Sequence, residues 1–263
     1  MSRQPENGMS ERLETAMPWL FLLGSVVVWE LACIVLRIPP FVLPRPSLVV
    51  IALYERFGPI IDNSWMTLLR TLLGFAIAVV LGALLGVAIG SWRIVYRGLY
   101  PVLIGFNSIP KVAVVPVFVI WFGIGTIPAV LTAFLVSFFP IAVNVATGLA
   151  TIEPELLDVM RSLGAKKHKI LMKVGLPRAM PYFFASLKVA ITLAFVGTII
   201  SETVASNKGI GYLMMAATSN FDTPLVFAGL IVIAVMGIAM YAIFAAIEHR
   251  MTFWAKRGDG LMA

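Results

Sequence analysis

Four ionisable side chains interrupt long apolar stretches of this sequence: Glu30, Lys111, Lys188 and Glu202. A charge at membrane depth is costly, so each of these residues is a candidate for binding or passing an ion. Lys188 and Glu202 are fourteen residues apart, close to four helical turns, and Thr192 lies between them on the same predicted helix face. This face predicts a polar stripe along a transport pathway, where the Lys188 ammonium would attract an anionic solute.

A second interpretation gives the same side chains structural roles. In it, Lys188 pairs with a carboxylate on another helix or extends its ammonium to the membrane surface. Glu202 then caps the loop that contains Gly209 and Gly211, and Glu30 is a buried hydrogen-bond partner. For Lys188 and Glu202 the sequence favours neither interpretation over the other.

Lys111 lies between two prolines, Pro110 and Pro116. Each proline removes a backbone hydrogen bond and kinks or breaks a helix. A kinked span is suited to a gate, and the same residues fit a purely structural kink. Pro110, Lys111 and Pro116 are therefore candidates for a gate in the pathway, with the structural alternative left open.

The residues needed for hydrolysis or metal chemistry are missing from the sequence. It contains no G-x-x-x-x-G-K-[ST] phosphate loop and no cluster of Cys and His, and its two histidines, His168 and His249, have basic neighbours. We therefore expect no catalytic residue, no metal site and no cofactor bound by this chain.

The composition excludes a soluble enzyme and a nucleic-acid binder. Hydrophobic residues make up 60% of the chain and charged residues 13%, and the basic residues behind the net charge of +7 lie at the ends of apolar stretches. Only helices satisfy their own backbone groups in lipid when alternating strands are absent. The predicted fold class is an all-α polytopic membrane protein with six transmembrane helices, at residues 17–36, 66–90, 99–122, 127–149, 179–204 and 224–247.

The Lys and Arg distribution orients these helices, because cytoplasmic loops carry an excess of both residues. It predicts a cytoplasmic tail over 1–16 and a first helix with an outer interfacial segment over 17–65, in which Ser47 caps a short helix. A five-helix core follows over 66–248, with a cytoplasmic loop at 151–177, and a cytoplasmic tail covers 249–263. Both termini are expected in the cytoplasm.

Small residues recur at every fourth position of the second predicted helix. This spacing makes one smooth stripe, against which another helix can approach closely in lipid. The pattern predicts helix packing inside the bundle, with a direct place in the pathway as the alternative. The stripe consists of Gly74, Ala78, Gly82, Gly86 and Gly90.

The loop at 151–177 is a charged island in an otherwise membrane-like chain. Pro154 and Glu155 suit the first turn of a helix, and Gly164 suits its end. We expect a second, short basic helix over 166–174, ending before Pro177. In the first helix, one face is apolar and consists of Leu156, Leu157, Met160 and Leu163, whereas Asp158, Arg161 and Ser162 point elsewhere.

This island carries a resemblance to a known family. Asp158, Gly164, Val174 and the pair Leu176-Pro177 have the spacing of the cytoplasmic loop of binding-protein-dependent ABC importer permeases. Asp158 stands where the family usually has Glu, and Val159 and Met160 replace two alanines. Shorter segments, Ser108-Ile109-Pro110-Lys111 and Ser201-Glu202-Thr203 among them, are similar to the nitrate, sulfonate and taurine branch.

The resemblance implies a type I importer fold in a bacterial cytoplasmic (inner) membrane, and a set of partners. These are a second copy of the chain, two cytoplasmic ABC ATPase subunits that bind ATP and Mg, and an extracytoplasmic solute-binding protein, with membrane lipid around them and no nucleic acid. Coupling to the ATPase would involve Leu156, Leu157, Asp158, Met160, Arg161, Leu163, Gly164 and Ala165. The expected solute is a small anion such as a sulfonate, taurine or nitrate.

Three alternatives remain open at the level of sequence. In the first, the amphipathic helix of the island rests on lipid and has no protein partner. The ionisable residues in the spans would also suit a stand-alone ion-coupled secondary transporter, although neither inverted repeats nor broken midplane helices are clear in the sequence. An importer of a vitamin precursor or an aromatic acid is the third alternative.

Overall fold

A computed structural model of the chain describes residues 8–253. Those residues form helices joined by short connections, with no strand in the described range. The α-helices are α1 (Gly8–Val35), α2 (Pro46–Glu55), α3 (Phe57–Ser91), α4 (Arg93–Ser108), α5 (Val115–Phe122), α6 (Thr126–Ala150), α7 (Pro154–Ser162), α8 (Lys167–Ile170), α9 (Leu176–Ala205), α10 (Ile210–Ser219) and α11 (Thr223–Met251).

The all-α polytopic membrane fold is confirmed. Four stretches are long and apolar enough to cross a membrane: α3, α6, the continuous stretch Lys167–Ala205, and α11. Helices α4 and α5 make a fifth if they are counted as one bent span, and α1 contains a shorter apolar part, Leu20–Val35. The count of six transmembrane helices stays a prediction, as do the parts of the two predicted tails outside the described residues.

The span at 99–122, predicted to be kinked by Pro110 and Pro116, is in fact broken between Ser108 and Lys111. Its two halves meet at 86°, joined by a 3-10 turn, Lys111–Val114, that leads into α5. Pro110 lacks an N–H and keeps Ile109 extended, at φ −73° and ψ 129°, so α4 cannot continue. Pro116 does not contribute a kink, because it lies in the first turn of α5, where a missing N–H costs nothing.

A second correction concerns the basic helix predicted to end before Pro177. Helix α8 instead continues through a π turn, Leu171–Gly175, directly into α9. The π turn shifts the hydrogen-bond pattern by one residue, and Pro177 falls in the first turn of α9, where proline is tolerated. The island is thus joined rigidly to a long apolar helix.

The core of the bundle is formed by α3, α6 and α9, with α11 packed against α9. The small-residue stripe of α3 lies directly on α6, where Ala78 is fully buried. A Cβ added to Gly74 would come within 2.6 Å of Ala133 Cβ, and one added to Gly90 within 2.7 Å of Leu149 Cβ. The later glycine of α3 meets the later residue of α6, so α3 and α6 run in the same direction.

Helix α1 holds the start of α2. The backbone N–H and the hydroxyl of Ser47 donate to the two carboxylate oxygens of Glu30, at 3.0 and 2.8 Å. Ser47 is therefore not the N-cap residue, a position that Arg45 occupies, and the carboxylate of α1 stabilises the helix start instead. Glu30 is a hydrogen-bond partner, as predicted, although it is only half-buried.

Candidate functional site

Helix α7 ends in a tight left-handed turn at Gly164. Gly164 has φ +73°, a conformation that favours glycine strongly over residues with a Cβ. Its N–H donates to the Arg161 carbonyl at 2.9 Å, and the Ala165 N–H donates to the Met160 carbonyl at 3.0 Å. These two bonds form a Schellman cap, which fixes the direction in which the chain leaves α7.

The outer surface of α7 is free in the isolated chain and carries exposed apolar side chains. Leu163 is 76% exposed and Val159 is 56% exposed, whereas Leu156 and Met160 are partly exposed. The side chain of Leu157 lies outside what the structure describes. Val159 was not placed on this face from the sequence, although its spacing of three and four residues from Leu156 and Leu163 was the signal for it.

Ion pairs order this part of the molecule. The Arg161 guanidinium contacts the Asp158 carboxylate at 2.9 Å on the exposed side of α7. The Arg178 guanidinium, in the first turn of α9, contacts the Glu153 carboxylate at 3.3 Å. An exposed pair contributes little to stability. The Glu153–Arg178 pair nonetheless places the start of α7 beside the first turn of α9.

The other end of the bundle, where α10 lies, contains a buried ion pair. The Arg70 guanidinium of α3 donates to Glu202 Oε1 of α9 at 2.9 Å, and both side chains are almost completely buried. Arg70 also donates to the Ser206 hydroxyl at 2.9 Å and the Lys208 carbonyl at 2.6 Å, and weakly to the Thr126 hydroxyl at 3.3 Å. Arg70 thereby connects α3, α6 and the α9–α10 loop.

The first N–H groups of α10 bind to side chains of other helices. The Gly209 N–H donates to Asn63 Oδ1 at 2.7 Å, and the Ile210 N–H donates to Thr67 Oγ1 at 2.9 Å. The Gly211 N–H donates to Glu202 Oε2 at 3.2 Å, and the Thr67 hydroxyl donates to the same oxygen at 2.7 Å. We call Asn63, Thr67, Arg70 and Glu202 the α10 clamp.

The clamp corresponds to the structural interpretation of Glu202, in which this residue caps the loop that contains Gly209 and Gly211. A Cβ at Gly209 would lie 2.1 Å from Glu202 Cδ, so the carboxylate approaches the loop as closely as glycine allows. Sequence analysis missed Arg70 as its partner. The signal was present, because Arg70 is an ionisable residue inside the predicted helix at 66–90.

Lys188, Thr192 and Glu202 do not line one surface. The Lys188 ammonium contacts the Glu248 carboxylate of α11 at 2.5 Å, and both side chains are mostly buried. Thr192 is exposed and its hydroxyl donates to the Lys188 carbonyl at 3.0 Å, whereas Glu202 is buried in the clamp. The shared polar face predicted from the spacing is therefore not formed, because each of the two charged residues is paired with a side chain of another helix.

We expect Lys188→Met to destabilise the folded protein by about 1–3 kcal/mol, since it leaves the Glu248 carboxylate without its partner. The measurement is the melting temperature of the purified protein in detergent. The double variant Lys188→Met with Glu248→Gln removes both charges and should recover most of the loss. A single variant as stable as the wild type would contradict a structural ion pair.

The break between α4 and α5 is occupied by a lysine side chain. Lys111 Nζ donates to the Asn107 carbonyl at 2.5 Å and to Asn107 Oδ1 at 2.6 Å. The carbonyl of Asn107 belongs to the last turn of α4, where a cation interacts favourably with the helix dipole. Lys111 thus caps the broken end of α4 across Pro110.

Several sequence relatives match this chain over most of its length. This chain is 29% identical over 250 residues to the formylaminopyrimidine transport permease protein ThiX of Halalkalibacterium halodurans. The match covers 95% of this chain and 100% of ThiX. The chain is 32% identical over 235 residues to the riboflavin transport system permease protein RibX of Chloroflexus aurantiacus, covering 89% and 88%. A permease protein named for aliphatic sulfonates transport, SsuC of Bacillus subtilis, is 28% identical over 237 residues, covering 89% and 86%.

Among solved structures, the fold is similar to a chain of the MetNI methionine ABC transporter in an inward-facing conformation. The TM-score is 0.64 at 18% identity, and the match covers 75% of this chain and 98% of that chain. At this identity the likeness concerns the fold alone. Residues 78–253 match the family of binding-protein-dependent transport system inner membrane components, so this chain belongs to that family and is an ABC transporter permease.

Proposed function

We propose that this chain forms the transmembrane pathway of an ATP-driven importer for a small solute. Membership of the permease family supports this function over a stand-alone ion-coupled transporter. The observation that carries the proposal is α7, a short helix with exposed Val159 and Leu163 that ends in the Schellman cap at Gly164. Such a face suits a groove on a separate ATPase, which would bind ATP and Mg and hydrolyse the nucleotide.

The proposed arrangement places the α7 end in the cytoplasm and the α10 end outside, in a bacterial inner membrane. The excess of Lys and Arg around α7 and α8 supports this orientation, with both termini inside. Two copies of the chain would pair with two ATPase subunits and receive solute from an extracytoplasmic binding protein. ATPase closure would act on α7 and reach α9 through the continuous stretch from Lys167 to Ala205.

For the solute we propose a small anion such as a sulfonate, taurine or nitrate. The relative named for aliphatic sulfonates supports this class. A second candidate is a vitamin or its precursor, because the names of two other relatives refer to riboflavin and formylaminopyrimidine. Purifying the associated binding protein and measuring its ligand by calorimetry separates the two classes.

Gly164→Val is expected to uncouple the chain from its ATPase while leaving it inserted in the membrane. A β-branched residue at φ +73° is strained by about 1–3 kcal/mol, enough to redirect the end of α7. The measurement is the amount of ATPase that co-purifies with the tagged chain, together with solute uptake.

Two matched variants control this experiment. Gly164→Asn keeps a residue that tolerates the left-handed region and should retain most of the coupling. Gly24→Val changes a helical glycine of α1 that has no atom within 4 Å of an added Cβ, and should behave as the wild type. Unchanged ATPase recovery and full uptake in Gly164→Val would refute the role of α7.

A further inference from the structure

The break between α4 and α5 lies beside two helices of the core, α6 and α9. The 3-10 turn and α5 pack against α6 and α9, and the Gly123–Gly125 connection joins α5 to the start of α6. The eight residues of α5 span about 12 Å and the four-residue turn about 8 Å, so Lys111 lies at most about 20 Å from the start of α6, which is itself roughly 37 Å long. Some transporters bind charged solutes at discontinuous helices within their spans.

The Lys111 ammonium has one N–H donor left for a further hydrogen-bond acceptor. An ammonium has three N–H donors, and two of them are directed at Asn107, to the carbonyl and Oδ1. Both acceptors are neutral and the end of α4 supplies only a partial negative charge, so the ammonium has no full counter-charge there. The Lys111 side chain is partly exposed, which leaves its third donor accessible from the open side of the break.

The other two cations inside the predicted spans are already compensated. Arg70 is paired with Glu202 and Lys188 with Glu248. Within residues 8–253, the ion pairs closer than 4.0 Å do not include Lys111. A charge at membrane depth is costly unless it is paired, so an anion at Lys111 is favoured over one at either of the other sites.

We propose that Lys111 forms an oxyanion site at the α4–α5 break, an assignment that rests on the proposed function of the chain as a transport pathway. An oxygen of a sulfonate, carboxylate or phosphate group accepts the third N–H of Lys111 in a charge-assisted hydrogen bond. The charge that helps an anionic solute across the membrane is thus that of Lys111 and not that of Lys188.

An oxyanion reaches this site from one of two sources, the solute or a lipid phosphate. The packing of the break against the core helices α6 and α9 favours the solute, because lipid headgroups lie at the two faces of the membrane. Methanesulfonate is a suitable solute probe, and dimethyl sulfone is its uncharged counterpart of nearly the same shape. Both phosphatidylcholine and phosphatidylglycerol carry a phosphate, but only phosphatidylglycerol has a net negative charge, so comparing them tests an anionic lipid as the source.

The experiment measures the melting temperature of the purified full chain in nanodiscs against probe concentration at constant ionic strength. In phosphatidylcholine nanodiscs, methanesulfonate should raise the melting temperature of the wild type, because a ligand of the folded state stabilises it, and dimethyl sulfone should not.

Lys111→Gln, whose amide still donates to Asn107, should weaken the apparent affinity about tenfold, equivalent to about 1.4 kcal/mol. Lys111→Arg should retain the response, and the exposed-site control Lys208→Gln should match the wild type.

A response to methanesulfonate that is equal in the wild type and Lys111→Gln overturns the proposal, as does a wild type that responds neither to methanesulfonate nor to phosphatidylglycerol. Stabilisation by phosphatidylglycerol alone, lost in Lys111→Gln, keeps the oxyanion site and identifies the lipid as its source. If Lys111→Gln does not fold, Lys111→Met serves as the second neutral variant. Recovery of ATPase with Lys111→Gln is measured in parallel, so that a failed anion site is distinguished from a failed importer assignment.

Discussion

Leucine in place of Gly86 is expected to prevent correct assembly of the bundle. An added Cβ would lie 2.6 Å from Val145 Cβ and 2.7 Å from the Ala142 carbonyl oxygen, so the backbone of α6 has to move away from α3. Overpacking of this kind costs about 1–3 kcal/mol or more. The measurement is the fraction of membrane-inserted protein that elutes as a single species in size-exclusion chromatography after extraction in mild detergent.

Gly24→Leu is the matched control for this prediction. Both glycines lie inside apolar helices, but a Cβ at Gly24 has no atom within 4 Å. The control variant should express and elute as the wild type, since leucine is also the better helix former. Equal yields of single-species protein from the two variants would show that α6 does not lie against the α3 stripe as the structure has it.

Arg70→Met is expected to destabilise the protein by about 3–5 kcal/mol, because it leaves the buried Glu202 carboxylate without a counter-charge. The Ser206 hydroxyl and the Lys208 carbonyl lose a donor at the same time, so the α9–α10 loop should loosen. The loss is read from the melting temperature, and the loosening from the rate of proteolysis within residues 206–209.

Two further variants separate the ion pair from a general effect of losing an arginine. Arg56→Met removes an exposed arginine just before the start of α3 and should leave the melting temperature nearly unchanged. Adding Glu202→Gln to Arg70→Met removes the unpaired charge, while the amide oxygen still accepts from the Gly211 N–H. A double variant no more stable than Arg70→Met would argue against the charge as the cause.

The class of the molecule and its local features can be predicted from the amino-acid sequence. Long apolar stretches require helices in lipid, so the all-α fold followed from composition alone. The end of α7 at Gly164 also followed, because a glycine after an amphipathic stretch is a local signal that needs no tertiary partner. The order and spacing of the island residues, from Asp158 to Leu176-Pro177, identified the permease family.

Contacts between side chains of different helices depend on how the helices pack. Arg70 and Glu202 are separated by 132 residues, and Lys188 finds Glu248 on another helix, so helical spacing within one span could not reveal either pair. The small-residue stripe indicated close packing but not its partner, because any helix fits a smooth surface. The prolines of the third span indicated a bend, and their positions relative to the helix ends determined that Pro110 breaks it and Pro116 does not.

The physical reason is the range of the interactions. Backbone hydrogen bonds, caps and turns join residues within about five positions, so their signals lie in short segments of sequence. Charge pairing and close packing depend on distance in space. In lipid, an ionisable side chain pairs with whichever suitable group the packing of the helices places beside it. The sequence therefore marked Glu202, Lys111 and Lys188 as residues in need of partners, and the packing of α3, α9 and α11 decided that only Lys111 was left without a counter-charge among the three.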